Sequence, residues 1–253
     1  METLRELFEE ISKSQTAEYA VTIRYYSRDG KLKDRILFEP GTNSVKSSNV
    51  LSAILSSLLE TVNKLADSGE DSTIHSTSEG FYFIDVVRRE KTIVIFGAGH
   101  VGRSVAIIGS IVGFSIILVD DREQFLRDIP VLNPKIKCLL TEFEGAFEHF
   151  STGKDDAVVI VTRGHQYDRV CLRESIKRDA KYIGMIGSKR RVLSIAKEIG
   201  ELDLSDQEAQ RLDKVYAPIG LKIGAKSPEE IAVSIIAQII QIMSTTEAQR
   251  KDC

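Results

Sequence analysis

Residues 91–122, KTIVIFGAGHVGRSVAIIGSIVGFSIILVDDR, decide the fold of the longer part of this chain. The β-branched and aromatic run at 92–96 predicts a strand that is buried on both faces, and the run at 115–119 predicts a second such strand. A glycine-rich turn and an apolar helix, predicted over 103–112, lie between them. This order of strand, glycine turn, helix, strand and acid is typical of a dinucleotide-binding βαβ unit.

The three glycines of the turn GAGHVG have separate chemical roles. Gly97 permits a tight turn, Gly99 lets the backbone approach a pyrophosphate, and Gly102 lets the helix pack closely on the strand. The helix N-terminus near His100 and Val101 offers free N–H groups and a partial positive charge to an anion. A structural turn without a nucleotide stays open as the alternative, because many such units bind other phosphorylated ligands or nothing.

The second strand ends in two acids, Asp120 and Asp121, followed by Arg122. Asp120 lies 18 residues after Gly102, close to the roughly 20-residue spacing expected of a carboxylate that accepts a ribose hydroxyl. A carboxylate here favours NAD over NADP because it would repel a 2′-phosphate, and Arg122 softens that preference.

Composition narrows the class of protein. With 253 residues, a net charge of −3 and 28% charged residues, the chain does not have the character of a general nucleic-acid binder. No apolar stretch approaches the roughly 18 residues needed to cross a bilayer, and the charged start of the chain lacks a signal-peptide pattern. We therefore expect a cytoplasmic protein without a membrane partner. Cys138, Cys171 and Cys253 are widely spaced, which predicts neither a zinc site nor a disulfide framework.

A change of pattern near residue 90 divides the chain into two predicted domains, 1–90 and 91–253. The first reads as a small α+β domain, with helices at 1–13 and 49–66 and a polar loop at 67–79. Its strands are predicted at 19–26, 32–38 and 81–87, and the pair Asp29-Gly30 predicts a hairpin turn between the first two.

The second domain alternates strands and helices, which predicts an α/β fold with a doubly wound parallel sheet and helices on both faces. Further strands are predicted at 137–140, 157–161, 181–186 and 215–217, and further helices at 142–150, 169–178 and 203–212. If the strand order is the usual 3-2-1-4-5-6, ligands bind between strands one and four. That order brings GAGHVG and TRGHQYD (162–168) to the same crevice.

The loop TRGHQYD carries side chains suited to an anionic ligand. Arg163 can grip a phosphate or carboxylate with two hydrogen bonds, Gly164 lets the backbone approach a ligand or turn sharply, and His165 can titrate near neutral pH. His100 would face His165 across the crevice, although no ligand spacing predicts a metal site. The alternative is structural, with Asp168 capping the following helix and His165 bonded to backbone.

A second helix N-terminus, at 187–191, presents the same choice. Gly187 and Ser188, followed by Lys189 and Arg190, suit a second phosphate or acidic ligand. The alternative is that Ser188 caps the helix and the cations are solvated. Near the end, Ser227 and Glu230 predict a capping box, and the glycine-containing loop before them could close over the crevice. No catalytic nucleophile can be named.

Five motifs occur in order along residues 92–243: FGAGHVG, VDDR, TRGHQYD, YIGMIGSKRR and APIGLKIGAKSPEEIAVSI. On these motifs the chain resembles the xanthine dehydrogenase accessory proteins, the XdhC/CoxI family. The resemblance implies a C-terminal Rossmann domain and a protein that binds molybdenum cofactor (molybdopterin), supports its sulfuration and delivers it to a molybdenum hydroxylase. It also implies a homodimer and a sulfur-donating desulfurase as a partner.

Two departures from the family pattern matter. Family members usually carry a Gly-Gly-Cys motif and a further cysteine in the N-terminal part, whereas residues 1–90 here contain no cysteine. The family also tends to have an acid near position 238, where this chain has Gln238. Any chemistry that depends on those thiols cannot occur in the same way here.

The leading hypothesis is an accessory protein that binds a phosphorylated pterin or nucleotide, more a binding protein than a catalyst. The fingerprint glycines would hold the phosphate, and Asp120 or Asp121 would take a ribose or pterin donor. Arg163 and His165 would line the opposite wall. The alternatives are an NAD(P)-dependent oxidoreductase and a nucleotide-sensing regulatory module.

Overall fold

The computed structural model describes residues 19–38, 45–46, 61–62, 64–65, 68, 70–88, 90–129, 135–202 and 204–244. Within these ranges it does not describe the side chains at 19–20, 36–38, 45–46, 88, 165–166 and 189. The chain divides into two compact units, Met1–Arg89 and Glu90–Cys253. The predicted helix 1–13 and most of the predicted helix 49–66 lie outside the described residues.

The first unit contains a five-stranded antiparallel sheet in the order β3-β2-β1-β5-β4. The strands are β1 (Tyr19–Ser27), β2 (Leu32–Phe38), β3 (Val45–Lys46), β4 (Ser72–Ser76) and β5 (Gly80–Arg88). The predicted hairpin turn between β1 and β2 is confirmed. Gly30 has a φ of 77° there, and its N–H donates to the Ser27 carbonyl oxygen at 2.8 Å.

Strand β4 contradicts the predicted polar loop at 67–79. Its sequence, STIHS, pairs on one side with β5 at the edge of the sheet, and four of its five residues are exposed. A strand without a buried face lacks the alternation of apolar and polar residues that identifies strands in a sequence. The polar composition of residues 67–79 therefore did not reveal the strand.

The second unit is built on a five-stranded parallel sheet in the order β10-β9-β6-β7-β8. The strands are β6 (Thr92–Phe96), β7 (Ser115–Asp120), β8 (Ile136–Leu140), β9 (Ala157–Ile160) and β10 (Tyr182–Met185). Counted within the unit, this is the predicted order 3-2-1-4-5, and the predicted α/β class is confirmed. The strand predicted at 215–217 is reduced to a single bridge between Tyr216 and Gly184.

Helices cover both faces of this sheet. They are α1 (His100–Val112), α2 (Glu123–Leu126), α3 (His165–Ile176), α4 (Lys189–Gly200), α5 (Asp206–Asp213) and α6 (Pro228–Ser244). Alternate residues of β6 enter different cores: Ile93 and Ile95 pack in the cluster that contains residues of α1 and α6, while Val94 and Phe96 pack in the cluster that contains residues of α3 and α4. Burial on both faces explains why residues 93–96 of this strand are all apolar.

Two helices begin earlier than their sequences predict. Helix α1 begins at His100 instead of 103, and α3 begins at His165 instead of 169. Their first turns face the end of the sheet and carry polar residues, so apolar spacing does not mark them. The helix predicted at 142–150 is only the short 3-10 turn Ala146–Glu148.

Candidate functional site

The glycine turn after β6 lies directly against the end of β9. Gly97 has a φ of 107°, and its N–H donates to the Val119 carbonyl oxygen at 2.8 Å. A Cβ on Gly97 would lie 2.5 Å from the carbonyl oxygen of Val161, the residue after β9. Because β6 pairs with both β7 and β9, the loops that follow the three strands meet at one edge of the sheet. The predicted meeting of GAGHVG and TRGHQYD is confirmed.

The other two fingerprint glycines face different surroundings. A Cβ on Gly102 would lie 1.8 Å from the Gly97 carbonyl oxygen, so helix α1 touches the turn through this glycine. At Gly99, by contrast, no heavy atom of the described chain comes within 4 Å of the position that a Cβ would occupy. Packing therefore requires Gly102, whereas Gly99 borders open space where a ligand could approach the backbone.

The N-terminus of α1 opens onto the same space. Gly99 is its N-cap residue, and no side chain among the described residues caps this helix. The Arg103 N–H donates to the Gly99 carbonyl oxygen at 2.9 Å, so the three N–H groups at 100–102 precede the first hydrogen bond of the helix. The first turn contains no acidic residue. The partial positive charge of the helix is thus available to an anion.

Three other helices of this unit, α4, α5 and α6, begin with side-chain caps. Helix α5 begins with a capping box formed by Ser205 and Glu208. At α6 the Glu230 N–H donates to Ser227 Oγ at 3.2 Å, and Glu230 Oε2 accepts from the Ser227 N–H at 3.1 Å. The predicted capping box at 227–230 is confirmed. Helices α1 and α3, which both begin at the crevice, have no such side-chain cap among the described residues.

Asp120 is fully buried and all of its acceptor positions are used. Its Oδ2 accepts from the Ala98 N–H at 2.7 Å and from Arg122 Nη2 at 3.0 Å. Its Oδ1 accepts from the Arg122 backbone N–H at 3.0 Å and from Arg122 Nε at 2.8 Å. A carboxylate offers about four lone-pair positions. A ribose contact through Asp120 would therefore require Arg122 to leave.

Asp121 makes a different contact, across the crevice. Arg163 Nη1 donates to Asp121 Oδ1 at 2.5 Å, and Arg163 Nη2 donates to Oδ2 at 2.6 Å. Arg163 also donates to the Tyr167 hydroxyl oxygen at 2.9 Å and lies over the Tyr167 ring at 4.3 Å from its centroid. These residues follow β7 and β9, the two neighbours of β6, so the ion pair spans the end of β6 beside the glycine turn.

The pair shifts the titration of both partners. The two hydrogen bonds from Arg163 hold the pKa of Asp121 below its ordinary value of 3.8, outweighing the opposing effect of burial. Asp121 in turn raises the pKa of Arg163. Because the folded-state pKa of Asp121 is depressed, its contribution to stability is present above pH 3.8 and is lost as the pH falls through the folded value.

Arg163→Gln is expected to raise the pKa of the Asp121 carboxyl towards 3.8, because the charged form loses its main hydrogen-bond donor. An NMR titration of the carboxyl carbons in both proteins measures this directly. Arg169→Gln, which changes an exposed arginine on α3, is the matched control and should leave the Asp121 titration in place. An Asp121 pKa that is the same in all three proteins would contradict the ion pair.

Asp168 does not cap α3, so that interpretation was wrong. The N-cap residue is Gly164, and no side chain of the described residues caps this helix. Asp168 is instead fully buried, accepts a hydrogen bond from Thr162 Oγ1 at 2.5 Å, and pairs with Arg191 at the start of α4. Asp168 therefore links the residue Thr162, just after β9, to the first turn of α4.

The predicted roles of Gly164 also need revision. Its φ of −161° is extended backbone that any residue adopts, so the chain does not turn sharply at this position. A Cβ there would lie 3.6 Å from Tyr167 Cδ2, an ordinary contact. The side chain of His165 lies outside the described residues, so its approach to the exposed His100 stays a prediction.

The start of α4 favours the structural alternative. Ser188 Oγ accepts from the Arg191 N–H at 3.3 Å, so Ser188 caps the helix, and Gly187 has a φ of 143° that favours glycine. Arg190 is exposed, and the side chain of Lys189 lies outside the described residues. Arg191, which the sequence interpretation did not select, is the cation that contacts Asp168. Its position in the first helical turn was the available signal, since side chains there point back across the N-terminus.

The glycine-containing loop before α6 is anchored to that helix. Gln238 Oε1 accepts from the Gly220 N–H at 2.8 Å and from the Tyr182 hydroxyl at 2.7 Å. The Leu221 N–H donates to the Ser234 carbonyl oxygen at 3.1 Å. A closing motion of this loop would therefore have to begin after Leu221.

Gln238→Leu is expected to lower the free energy of unfolding by about 2 kcal/mol, because the Gly220 N–H and the Tyr182 hydroxyl lose their acceptor. Gln238→Glu is the control and should be much less destabilising, since a carboxylate supplies the same acceptor oxygen. Denaturant titration followed by circular dichroism measures both. Equal losses in the two variants would show that these hydrogen bonds are not the cause.

The family model of the XdhC Rossmann domain matches residues 93–239, which is more than half of the chain. The chain belongs to this family. The resemblance drawn from the five sequence motifs is therefore confirmed. The matched range includes the glycine turn, both acids, Arg163 and Gln238.

Two curated bacterial proteins are similar to this XdhC-family chain. The uncharacterized protein YqeB of Escherichia coli K12 is 33% identical over 162 residues, which cover 63% of this chain and 29% of that protein. A probable xanthine dehydrogenase subunit of Bacillus subtilis 168 is 34% identical over 160 residues, covering 63% and 45% respectively. The chain thus spans less than half of the length of either relative.

A crystal structure of a xanthine dehydrogenase from Bacillus halodurans is similar in fold. Its TM-score is 0.62 at 22% identity, and the match covers 96% of this chain and 65% of that one. Identity at this level supports the architecture alone. Within the described part of this XdhC-family protein, no helix has both the length and the apolar character needed to cross a membrane.

Proposed function

We propose that this XdhC-family protein is an accessory protein that binds molybdenum cofactor, or a related phosphorylated pterin, for insertion into a molybdenum hydroxylase. Family membership and the name of the Bacillus subtilis relative support this role. The observation that carries the proposal is the uncapped N-terminus of α1, which borders open space at Gly99. A helix N-terminus of this kind suits the phosphate of a pterin cofactor.

The residues of the crevice fit the phosphate end of such a ligand. The N–H groups at 100–102 and the helix dipole would receive the phosphate, and Gly99 leaves room for it beside the backbone. Arg163, on the opposite wall, adds a guanidinium whose fork matches two phosphate oxygens. The cofactor is then held mainly by its phosphate, which leaves its metal end free for transfer.

The chain does not supply a thiol at this crevice from its described cysteines. Cys171 is fully buried in α3, and Cys138 lies within β8, where it pairs in register with Leu118. Residues 1–90 contain no cysteine. We therefore assign to this protein the binding and delivery of cofactor, with any sulfur supplied by a separate desulfurase.

The proposal includes a homodimer that works in the cytoplasm.

A retention experiment tests the proposal. Purified protein is mixed with molybdenum cofactor released from a molybdenum enzyme, passed through a desalting column, and assayed for pterin by fluorescence and for molybdenum by mass spectrometry. Retention of both by the wild-type protein is the expected result. Retention of neither, together with micromolar NADH binding and turnover of a small-molecule substrate, would instead establish the oxidoreductase alternative.

The variant Gly99→Ala tests whether the cofactor binds at the glycine turn. The added methyl group would enter the open space beside the α1 N-terminus, so we expect cofactor affinity to fall about tenfold, equivalent to about 1.4 kcal/mol. Gly145→Ala is a matched control, because its added methyl group also meets no described atom within 4 Å. Equal retention by the two variants would move the binding site away from the glycine turn.

A further inference from the structure

The Asp121 carboxylate occupies the fork of Arg163 in the way that a ligand oxyanion would. Two oxygens of one planar group accept from Nη1 and Nη2 at 2.5 and 2.6 Å. An arginine fork binds carboxylate and phosphate oxygens with the same two-point geometry. Because Asp121 follows β7 and Arg163 follows β9, the pair lies across the end of β6, beside the glycine turn.

Arg163 also has contacts that do not involve Asp121. The Tyr167 hydroxyl accepts from Nη2 at 2.9 Å, and the guanidinium lies over the Tyr167 ring. Tyr167 belongs to α3, on the same side of the crevice as Arg163, and its ring packs edge-on against Phe143. Tyr167 thus holds the guanidinium in place, and Arg163 could still donate two hydrogen bonds to another anion if the Asp121 carboxylate moved away.

The side chain of Asp121 has room to rotate away from Arg163, whereas the side chain of Asp120 is fixed by its hydrogen bonds. Asp120 is fully buried and accepts four hydrogen bonds, whereas 11% of the Asp121 side chain is exposed. Its Oδ1 also lies 3.8 Å from Arg122 Nε, which is within ion-pair distance. A small rotation towards Arg122 would keep the carboxylate near a positive charge after it leaves Arg163, while Nε and Nη2 of Arg122 continue to donate to Asp120.

We infer that Arg163 is the oxyanion receptor of the crevice and that Asp121 is its built-in competitor, displaced when a phosphate enters. The inference rests on the proposed function and specifies the ligand class: a phosphate monoester or diphosphate that presents two oxygens to Arg163. The apparent affinity for phosphate is the intrinsic affinity multiplied by the fraction of protein in which Asp121 has left Arg163. The carboxylate also returns to the fork as the ligand leaves, which suits a protein that must hand its cargo on.

The sign of one mutational effect tests this inference. Calorimetric titration with inorganic pyrophosphate compares the wild-type protein with Asp121→Asn, Arg163→Gln and the double variant. If Asp121 competes, Asp121→Asn binds pyrophosphate about tenfold more tightly, and Arg163→Gln binds it about tenfold more weakly. In the Arg163→Gln background, Asp121→Asn should give little further gain, because the competitor has no fork to occupy.

Two controls separate competition from general effects. Glu123→Gln, an exposed acid two residues along the chain, removes the same charge and should leave affinity within about twofold. Asp121→Ala should change affinity in the same direction as Asp121→Asn, which guards against an effect peculiar to the amide. Circular dichroism spectra and melting curves identify any variant that does not fold.

The outcomes distinguish this inference from the proposed function. Weaker pyrophosphate binding by Asp121→Asn would make Asp121 a ligand contact and overturn the inference, even if the wild-type protein retains cofactor. Unchanged binding in all variants, or no binding in any, would overturn it as well. If cofactor is not retained but Asp121→Asn still tightens pyrophosphate binding, the inference that Asp121 competes for Arg163 is supported and the proposed function is overturned.

Discussion

Gly102→Ala should lower the free energy of unfolding of the second unit by about 3 kcal/mol, the upper end of the usual range for overpacking. The new Cβ would lie 1.8 Å from the Gly97 carbonyl oxygen and 3.0 Å from the Gly97 carbonyl carbon. Both are backbone atoms, so no side-chain rotation relieves the contact. Helix α1 must move away from the turn, and its buried residues Val105 and Ala106 then lose packing against the sheet.

Gly99→Ala is the matched comparison for this variant. The two glycines are three residues apart in one motif, and both receive the same methyl group. No described atom lies within 4 Å of the new Cβ at 99, where φ is −67°, so we expect a stability change below about 1 kcal/mol. Because the chain has no tryptophan, far-UV circular dichroism in a denaturant titration is the suitable measurement. Equal losses at the two positions would contradict the close packing at Gly102.

Much of the parallel sheet could be predicted because its strands are buried on both faces. Buried segments such as 93–96 and Ala157–Ile160 are apolar throughout, and that pattern is visible in the sequence. Strand β4 has no such constraint, because its exposed serine and histidine residues suit a loop equally well. The bridge at Tyr216 shows the same limit, since a short apolar segment does not reveal how many hydrogen bonds it will make.

The meeting of loops was predictable from topology, but the pairing of side chains within them was not. Parallel strands in the order 3-2-1-4-5 bring the loops after β6, β7 and β9 together whatever their sequences. Which of Asp120 and Asp121 turns inward depends on the register of β7 at its last residue, and adjacent acids look alike in a sequence. The contact between Asp168 and Arg191 joins residues 23 positions apart. It also depends on the start of α3, which the sequence predicted at 169 and which the structure has at His165.

Asp120→Ala is expected to destabilise the second unit by about 3 kcal/mol in the absence of any ligand. The substitution removes the acceptor for the buried Ala98 N–H and leaves Arg122 without its two-point partner. Removing one partner from a buried ion pair costs about 3–5 kcal/mol, and the lower figure applies because 29% of the Arg122 side chain is exposed. Denaturant titration of the apoprotein measures the effect.

Asp121→Ala, one residue further along, is the control that gives this result its meaning. It removes a pair that is partly open to solvent, so its effect on stability should be about 1 kcal/mol or less. Loss of ligand binding in Asp120→Ala would then reflect a disordered glycine turn and would say nothing about a ribose contact. If Asp120→Ala were instead as stable as the wild-type protein and failed only in binding, the carboxylate would be available to ligand and the four hydrogen bonds around it would not be structural.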